Sequence, residues 1–214
     1  MSNTDSFIEE VTEEVRRDRL FILLKKWGWL GGLAVLLLVG GAAFNEYRKS
    51  SARSAAEAFG DSLLAGIEAD DQGASLSALS PEDASRAALA RHLAAADALE
   101  GDATDTALTE LGKAVELGDA PAIYRDLAQF KLALAMPQDD PSADRIAAFE
   151  QLTTPGAPFR LLAQEQIALI AISQGDTDAA ITQLLELFED AEATIGLQQR
   201  ASELIVALGG ELPE

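Results

Sequence analysis

The chain contains no cysteine and only one histidine in 214 residues. Without cysteine there is no disulfide, no thiol nucleophile and no thiolate metal ligand. An oxidising compartment is permitted by that absence but not indicated by it. The lone histidine, His92, cannot by itself supply the clustered ligands of a metal centre. A Ser–His–Asp arrangement would have to be built on this one residue, with no G-x-S-x-G elbow to present the serine. Arg91 and Asp97 are near it in sequence but nothing converges, so His92 reads as a packed or partly exposed residue of an alanine-rich helix. No phosphate-cradling glycine loop is present, because the glycine pairs at 31–32 and 40–41 lie inside an apolar run. The stretch QDDPSAD, Gln138 to Asp144, gathers three aspartates. It lacks the glycine and the closing glutamate of a calcium loop, and reads as a solvated turn with a helix cap. Asp70-Asp71 reads as surface in the same way. These absences lead us to expect no enzyme, no cofactor and no metal.

Aromatic residues are scarce as well, at 6%, while apolar residues make up 48% of the chain. Alanine is abundant and valine and isoleucine are sparse, which favours closely packed helices over a sheet. Positive charge is the last shortage. Residues 54–214 carry eight Lys and Arg against 29 Asp and Glu, while residues 1–53 are nearly balanced, eight against seven. The acidity therefore belongs to the second part of the chain. Such a surface repels nucleic acid and anionic headgroups, and favours basic or unfolded apolar protein partners.

Against these shortages stands one long apolar run. From Trp27 to Phe44 there is not a single charged residue. At about 1.5 Å per residue the run spans roughly 27 Å, close to the roughly 30 Å hydrocarbon core of a bilayer. Lys25 and Lys26 can snorkel, and Trp27, Trp29 and Tyr47 stand where interfacial aromatics belong. The rival is a cleaved export signal, for which Gly41 and Ala43 offer small residues two apart. The leader before the run, 1–26, is long and holds six acids, whereas a signal peptide has a short basic leader and a shorter apolar region. Retention as a transmembrane helix over 27–44 is the expectation. Gly28 and Gly32 form a small-xxx-small pair. Close packing against another membrane helix is one reading, and the ordinary abundance of glycine in spanning helices is the other.

Arg16, Arg17, Arg19, Lys25 and Lys26 precede the run, and Arg48, Lys49 and Arg53 follow it. This bias places the N-terminus in the cytoplasm and the acidic part outside it, which in a bacterium is the periplasm. The tail, 1–26, reads as an amphipathic helix leading into the membrane. Ser6 and Glu9 fit a capping box, and Phe7, Ile8, Val11, Val15 and Ile22 follow helical spacing. Its stripe would lie on lipid or on a protein partner.

Helix signals recur from 46 to 208. Ser80-Pro81-Glu82-Asp83 reads as a start, with Ser80 the cap and Pro81 the first helical residue. Gly101, Gly118 and Gly175 stand where a left-handed residue would close a helix. Three segments look alike: LARHLAAADAL from Leu89, LAQFKLALAM from Leu127 and LAQEQIALIAI from Leu162, at offsets of 38 and then 35. Each is followed by a turn and a second helical pattern. A two-helix unit at this period predicts a stack of hairpins, since one hairpin cannot bury its own apolar face.

The units resemble the tetratricopeptide repeat. Gly175-Asp176 stands at the turn between the paired helices, followed by Ala180 and Leu184. Gly101-Asp102, Ala107, Leu111 and Ala114 follow the same order with one residue inserted. Ile167-Ala168 and Ala171 depart from the consensus, and the middle unit has Pro137-Gln138 in place of its turn glycine. Taken with NEYRKSSARSAAEAFGDSLLAG just beyond the membrane run, the layout resembles the family of bacterial ancillary subunits of the SecYEG translocon (YfgM-like). The resemblance implies an all-α protein with a solenoid of tetratricopeptide-like hairpins over 45–214. It also implies a location in the inner membrane, and association with the translocon, periplasmic chaperones and exported polypeptides. A scaffold for cell envelope growth or division is the alternative that the same layout allows.

Overall fold

The computed structural model describes residues 3–137 and 142–213, with side chains from Lys25 onward except that of Ser142. Among these residues the regular structure is helical and there is no strand. The chain divides into two units, Met1–Ala58 and Phe59–Glu214.

The first unit is made of α1, which begins at Asn3 and ends in the second unit at Ile67. Its start lies three residues before Ser6, so Ser6 sits within the first turn and not at the cap expected from the capping box. The tail's apolar stripe concerns side chains outside the described residues. From Lys25 to Ala58 every residue is exposed. One stretch of α1, near the N-terminus, is long and apolar enough to cross a membrane. Leu36, Leu38 and Phe44 within it expose 68%, 73% and 64% of their surface.

The second unit holds the remaining helices: α2 (Gln72–Ser77), α3 (Ala84–Glu100), α4 (Thr104–Val115), α5 (Ala122–Ala135), α6 (Ser142–Glu150), α7 (Arg160–Ser173), α8 (Thr177–Glu189) and α9 (Ile195–Ala207). From α2 onward each helix packs on the next in sequence, and α3 also meets α5. The three look-alike segments fall in α3, α5 and α7, and their partners are α4, α6 and α8. Three buried clusters follow one another along the chain. Leu111 and Ala128 lie in the first, Phe149 and Ala163 in the second, and Leu184, Leu197 and Ile205 in the third. Much of what is buried is alanine, including Ala88, Ala90, Ala107, Ala114, Ala168 and Ala180, all at 0% exposure. Side chains this small let helix backbones approach closely. At Gly66 the approach is closer still, for a Cβ there would stand 3.0 Å from Leu76 Cδ2.

Helix ends show where the sequence signals hold and where they slip. Gly175 is left-handed (φ 77°), as expected, and its amide donates to the Ile172 carbonyl. Gly101 is not: its φ is −89°, and the left-handed residue is Asp102 at φ 57°. Gly118 likewise has no positive φ. The amide of Ala103 donates to Ala98 O (2.8 Å), that of Asp176 to Ala171 O (3.0 Å), and that of Gly210 to Ile205 O (2.9 Å). These are the wide bonds of Schellman-type endings. They place Asp102 opposite Gly175 and Ala103 opposite Asp176. In that register Ala107 and Leu111 match Ala180 and Leu184 with no inserted residue. Each pair stands four and eight residues beyond its cap, and all four side chains are at 0% exposure.

The start expected at Ser80 lies three residues later. Asp83 is the cap, its carboxylate accepting from the Arg86 amide at 3.0 Å, so Pro81 precedes the helix. Asp71, read as plain surface, caps α2 by accepting from the Ala74 amide at 2.9 Å. The end of α5 needs no glycine. Met136 is extended (ψ 134°), the conformation that the following Pro137 imposes. Of the QDDPSAD turn, Gln138–Pro141 lie outside the described residues. The helix α9 extends the series beyond the three segments read from sequence. Its left-handed Gly209 follows Gly175 by nearly the same interval that separates the look-alike segments, so α9 is a fourth first helix.

Candidate binding face

Each first helix buries its alanine stripe and leaves larger apolar side chains open. On α3, Leu89, His92, Ala96 and Leu99 fall on one stripe at helical spacing. His92 is buried beneath it, and Leu89 and Leu99 are 40% and 42% exposed. The repeat offsets carry Leu89 to Leu127 and Leu162, and Ala96 to Leu134 and Leu169. Leu134, Leu162 and Leu169 are 44%, 39% and 37% exposed. This is a recurring apolar row on α3, α5 and α7. It ends at α9, which shows Gln199, Arg200 and Glu203 to solvent. A terminal helix with a polar outer face is what closes a helical stack against water. At the row's own positions α9 is thus polar, although it exposes Ile195 and Val206 elsewhere on its surface.

The polar residues beneath this face act as ties between helices. Glu110 on α4 is 3% exposed and receives both Arg91 Nη1 (2.9 Å) and Lys113 Nζ (2.7 Å). Burial pushes its carboxyl up, but the bonds from Lys113 and Arg91 outweigh burial and hold it below the ordinary carboxylate range. Arg91 also donates to the Ser77 carbonyl at 2.7 Å, which fastens the end of α2. Farther along, Glu165 on α7 accepts from Arg200 Nε (2.7 Å) and Nη2 (3.0 Å) on α9. Arg160 reaches Asp190 at 2.8 Å and Glu192 at 2.6 Å. Its hydrogen bonds hold the Asp190 carboxyl below its usual range. Four of the eight basic residues in the acidic region are thus engaged in ion pairs between or within its helices.

His92 is 6% exposed, and its Nε2 donates to the Tyr124 carbonyl at 3.1 Å, fixing α3 to the first turn of α5. Its Nδ1 has no partner. Burial holds the imidazole below its ordinary range, and the nearby Lys131 acts in the same direction. His92 is therefore a neutral packing residue. Among the described residues no group of three or more His, Asp or Glu side chains is placed to hold a metal.

Gly28 and Gly32 lie one turn apart on the open surface of α1. Nothing of this chain stands within 4 Å of the position a Cβ would take at either. The structure brings no second helix to them. The apolar row on α3, α5 and α7 was not anticipated from sequence, which predicted a stack of hairpins without saying which side chains its open face would carry. The signal that could have found it is the recurrence of leucine at the 38 and 35 offsets outside the alanine stripe.

Compared with known proteins, the chain matches no protein-family model, no curated protein and no solved structure.

Proposed function

We propose that this chain is a non-enzymatic adaptor tethered in the bacterial inner membrane, with its tetratricopeptide-like hairpin stack standing in the periplasm and binding protein partners there. The partners that fit are the Sec translocon, periplasmic chaperones and the polypeptides passing between them. The observation that carries this reading is the apolar row on α3, α5 and α7, in a chain that also has a helix able to span a bilayer. Open apolar side chains recurring along one face of α3, α5 and α7 suit an apolar segment of another protein laid across successive helices. The acidic surface around them repels anionic lipid and nucleic acid, and favours basic or incompletely folded chains. The tether confines the face to two dimensions beside any membrane partner and raises its effective concentration there.

The test is co-purification with and without the anchor. The full chain is expected to recover translocon components and chaperones from membranes. A form starting at Asn45 and exported by a cleavable signal is expected to fold and to lose the translocon. Recovery of the same complex by the untethered domain contradicts the tethering part of the proposal.

A further inference from the structure

A hollow of about 280 Å³ opens between α3 and α5, lined by His92, Ala96, Leu99, Leu111, Lys131 and Leu134 among others. It has no carboxylate in its lining, in a region where acids outnumber bases 29 to eight. Lys131 is the one cation that lines it besides the neutral His92, and it makes no ion pair among the described residues. A hollow of about 600 Å³ opens at the equivalent α7–α9 junction, but Glu165 and Glu203 line it there, so a lining without carboxylates distinguishes the one between α3 and α5. One repeat on, at the offset of 38, His92 is replaced by Phe130 and Ala96 by Leu134. Phe130 lies 5.7 Å from both the Phe149 and the Phe159 rings, edge-on to the first and stacked on the second. Aromatic packing occupies there the space that the smaller side chains leave open between α3 and α5.

We infer that this hollow is a binding site for a monocarboxylate on a short apolar body, and that its natural source is the free C-terminus of a polypeptide ending in an apolar residue. The assignment rests on the adaptor reading for the nature of the partner, and on the geometry for the chemistry. A lysine with no ion pair among the described residues, in an otherwise apolar lining, matches a carboxylate next to an apolar side chain, the last residue of a chain. The volume falls at the lower edge of the roughly 300–1,000 Å³ of whole-ligand pockets, so it suits one terminal residue and not a large cofactor. A basic ligand would bring its charge against Lys131, and a purely apolar one would leave Lys131 without an anion. The imidazole of His92, which burial keeps neutral, adds no competing charge.

The test uses the full chain in detergent, titrated with an acetylated hexapeptide ending in leucine, as the free acid and as the C-terminal amide. The free acid is expected to bind at least tenfold more tightly than the amide, the loss typical of one charge-assisted bond. Lys131→Gln should remove that difference. Ala96→Leu, which puts at this junction the side chain found at the next, should abolish binding with the thermal transition unchanged. Equal binding of acid and amide, absence of binding, or binding that survives Ala96→Leu overturns the inference. Octanoate is the third arm, and a tighter fit for it than for the peptide acid overturns the polypeptide source. Partner capture from membranes by Ala96→Leu separates the two levels. Capture retained while the peptide is lost refutes the hollow as the docking point and leaves the adaptor. Capture absent from the unaltered chain refutes the adaptor and leaves the titration standing.

Discussion

Asp102 and Ala103 hold the backbone that Gly175 and Asp176 hold at the corresponding turn two units on, with less suitable side chains. Asp102 sits at φ 57°, in the left-handed region that glycine enters freely and aspartate only at some cost. Ala103 (φ −90°, ψ 61°) starts α4 without a side-chain cap, while Asp176 (φ −83°, ψ 75°) starts α8 with its carboxylate on the Ala179 amide. Asp102→Gly is therefore expected to stabilise the domain by about 1 kcal/mol, and Ala103→Asp by about the same. Denaturant unfolding reads both, and a loss of stability in either contradicts the register drawn between the two turns. The one histidine offers a second prediction. The unfolded imidazole takes its proton as pH falls through about 6.5, and the folded one takes it lower. The unfolded state then binds more protons, so stability is full above that pH and declines below it, by at most about 1.4 kcal/mol per pH unit. Glu110 and Asp190, held below the carboxylate range, keep their contribution until the pH is lower still. The midpoint of thermal unfolding should therefore fall between pH 7 and 5 in the parent chain and stay level over that window in His92→Gln.

Among the elements, α9 shows what the sequence disclosed and what it hid. Its closing Gly209 and its capping Thr194 are ordinary punctuation, readable as soon as the interval from Gly175 to Gly209 is set beside that of the look-alike segments. Its leucines and alanines do not line up with those of α7, since Gly196 and Glu203 stand where α7 has Leu162 and Leu169, so comparison by residue type passed over it. Leu197, Ala201 and Ile205 are 4%, 1% and 0% exposed, and they cover Leu184 and Leu187. Ile205→Ala should cost about 2–5 kcal/mol, since it opens a cavity where the stack closes. A cost below about 0.5 kcal/mol, measured by denaturant unfolding, would mean that α9 is not part of the cooperative core. Helix existence and pairing were legible because alanine stripes and turn residues are local signals. Helix starts at Asp83 and Asp71 were not, because several residues in each neighbourhood can cap and packing chooses among them. The apolar row was missed for a related reason: sequence periodicity does not distinguish a leucine packed inside from one left open beside it.

Over the whole molecule, two features fit one arrangement: an apolar helix able to span a bilayer, and an acidic helical domain with an open apolar face. Neither alone specifies an adaptor. Together they fit the proposed adaptor, a face that water disfavours carried by a chain able to anchor in a bilayer. The proposal stands or falls on which side of that membrane the domain lies. The most direct measurement is a reporter fused after Glu214, alkaline phosphatase in one strain and a fluorescent protein that matures only in the cytosol in another. An anchored chain with its domain outside gives an active phosphatase in the membrane fraction at full-length mass, and a dark fluorescent fusion. A bright fluorescent fusion with inactive phosphatase, or a mature chain shortened past Phe44, contradicts the account.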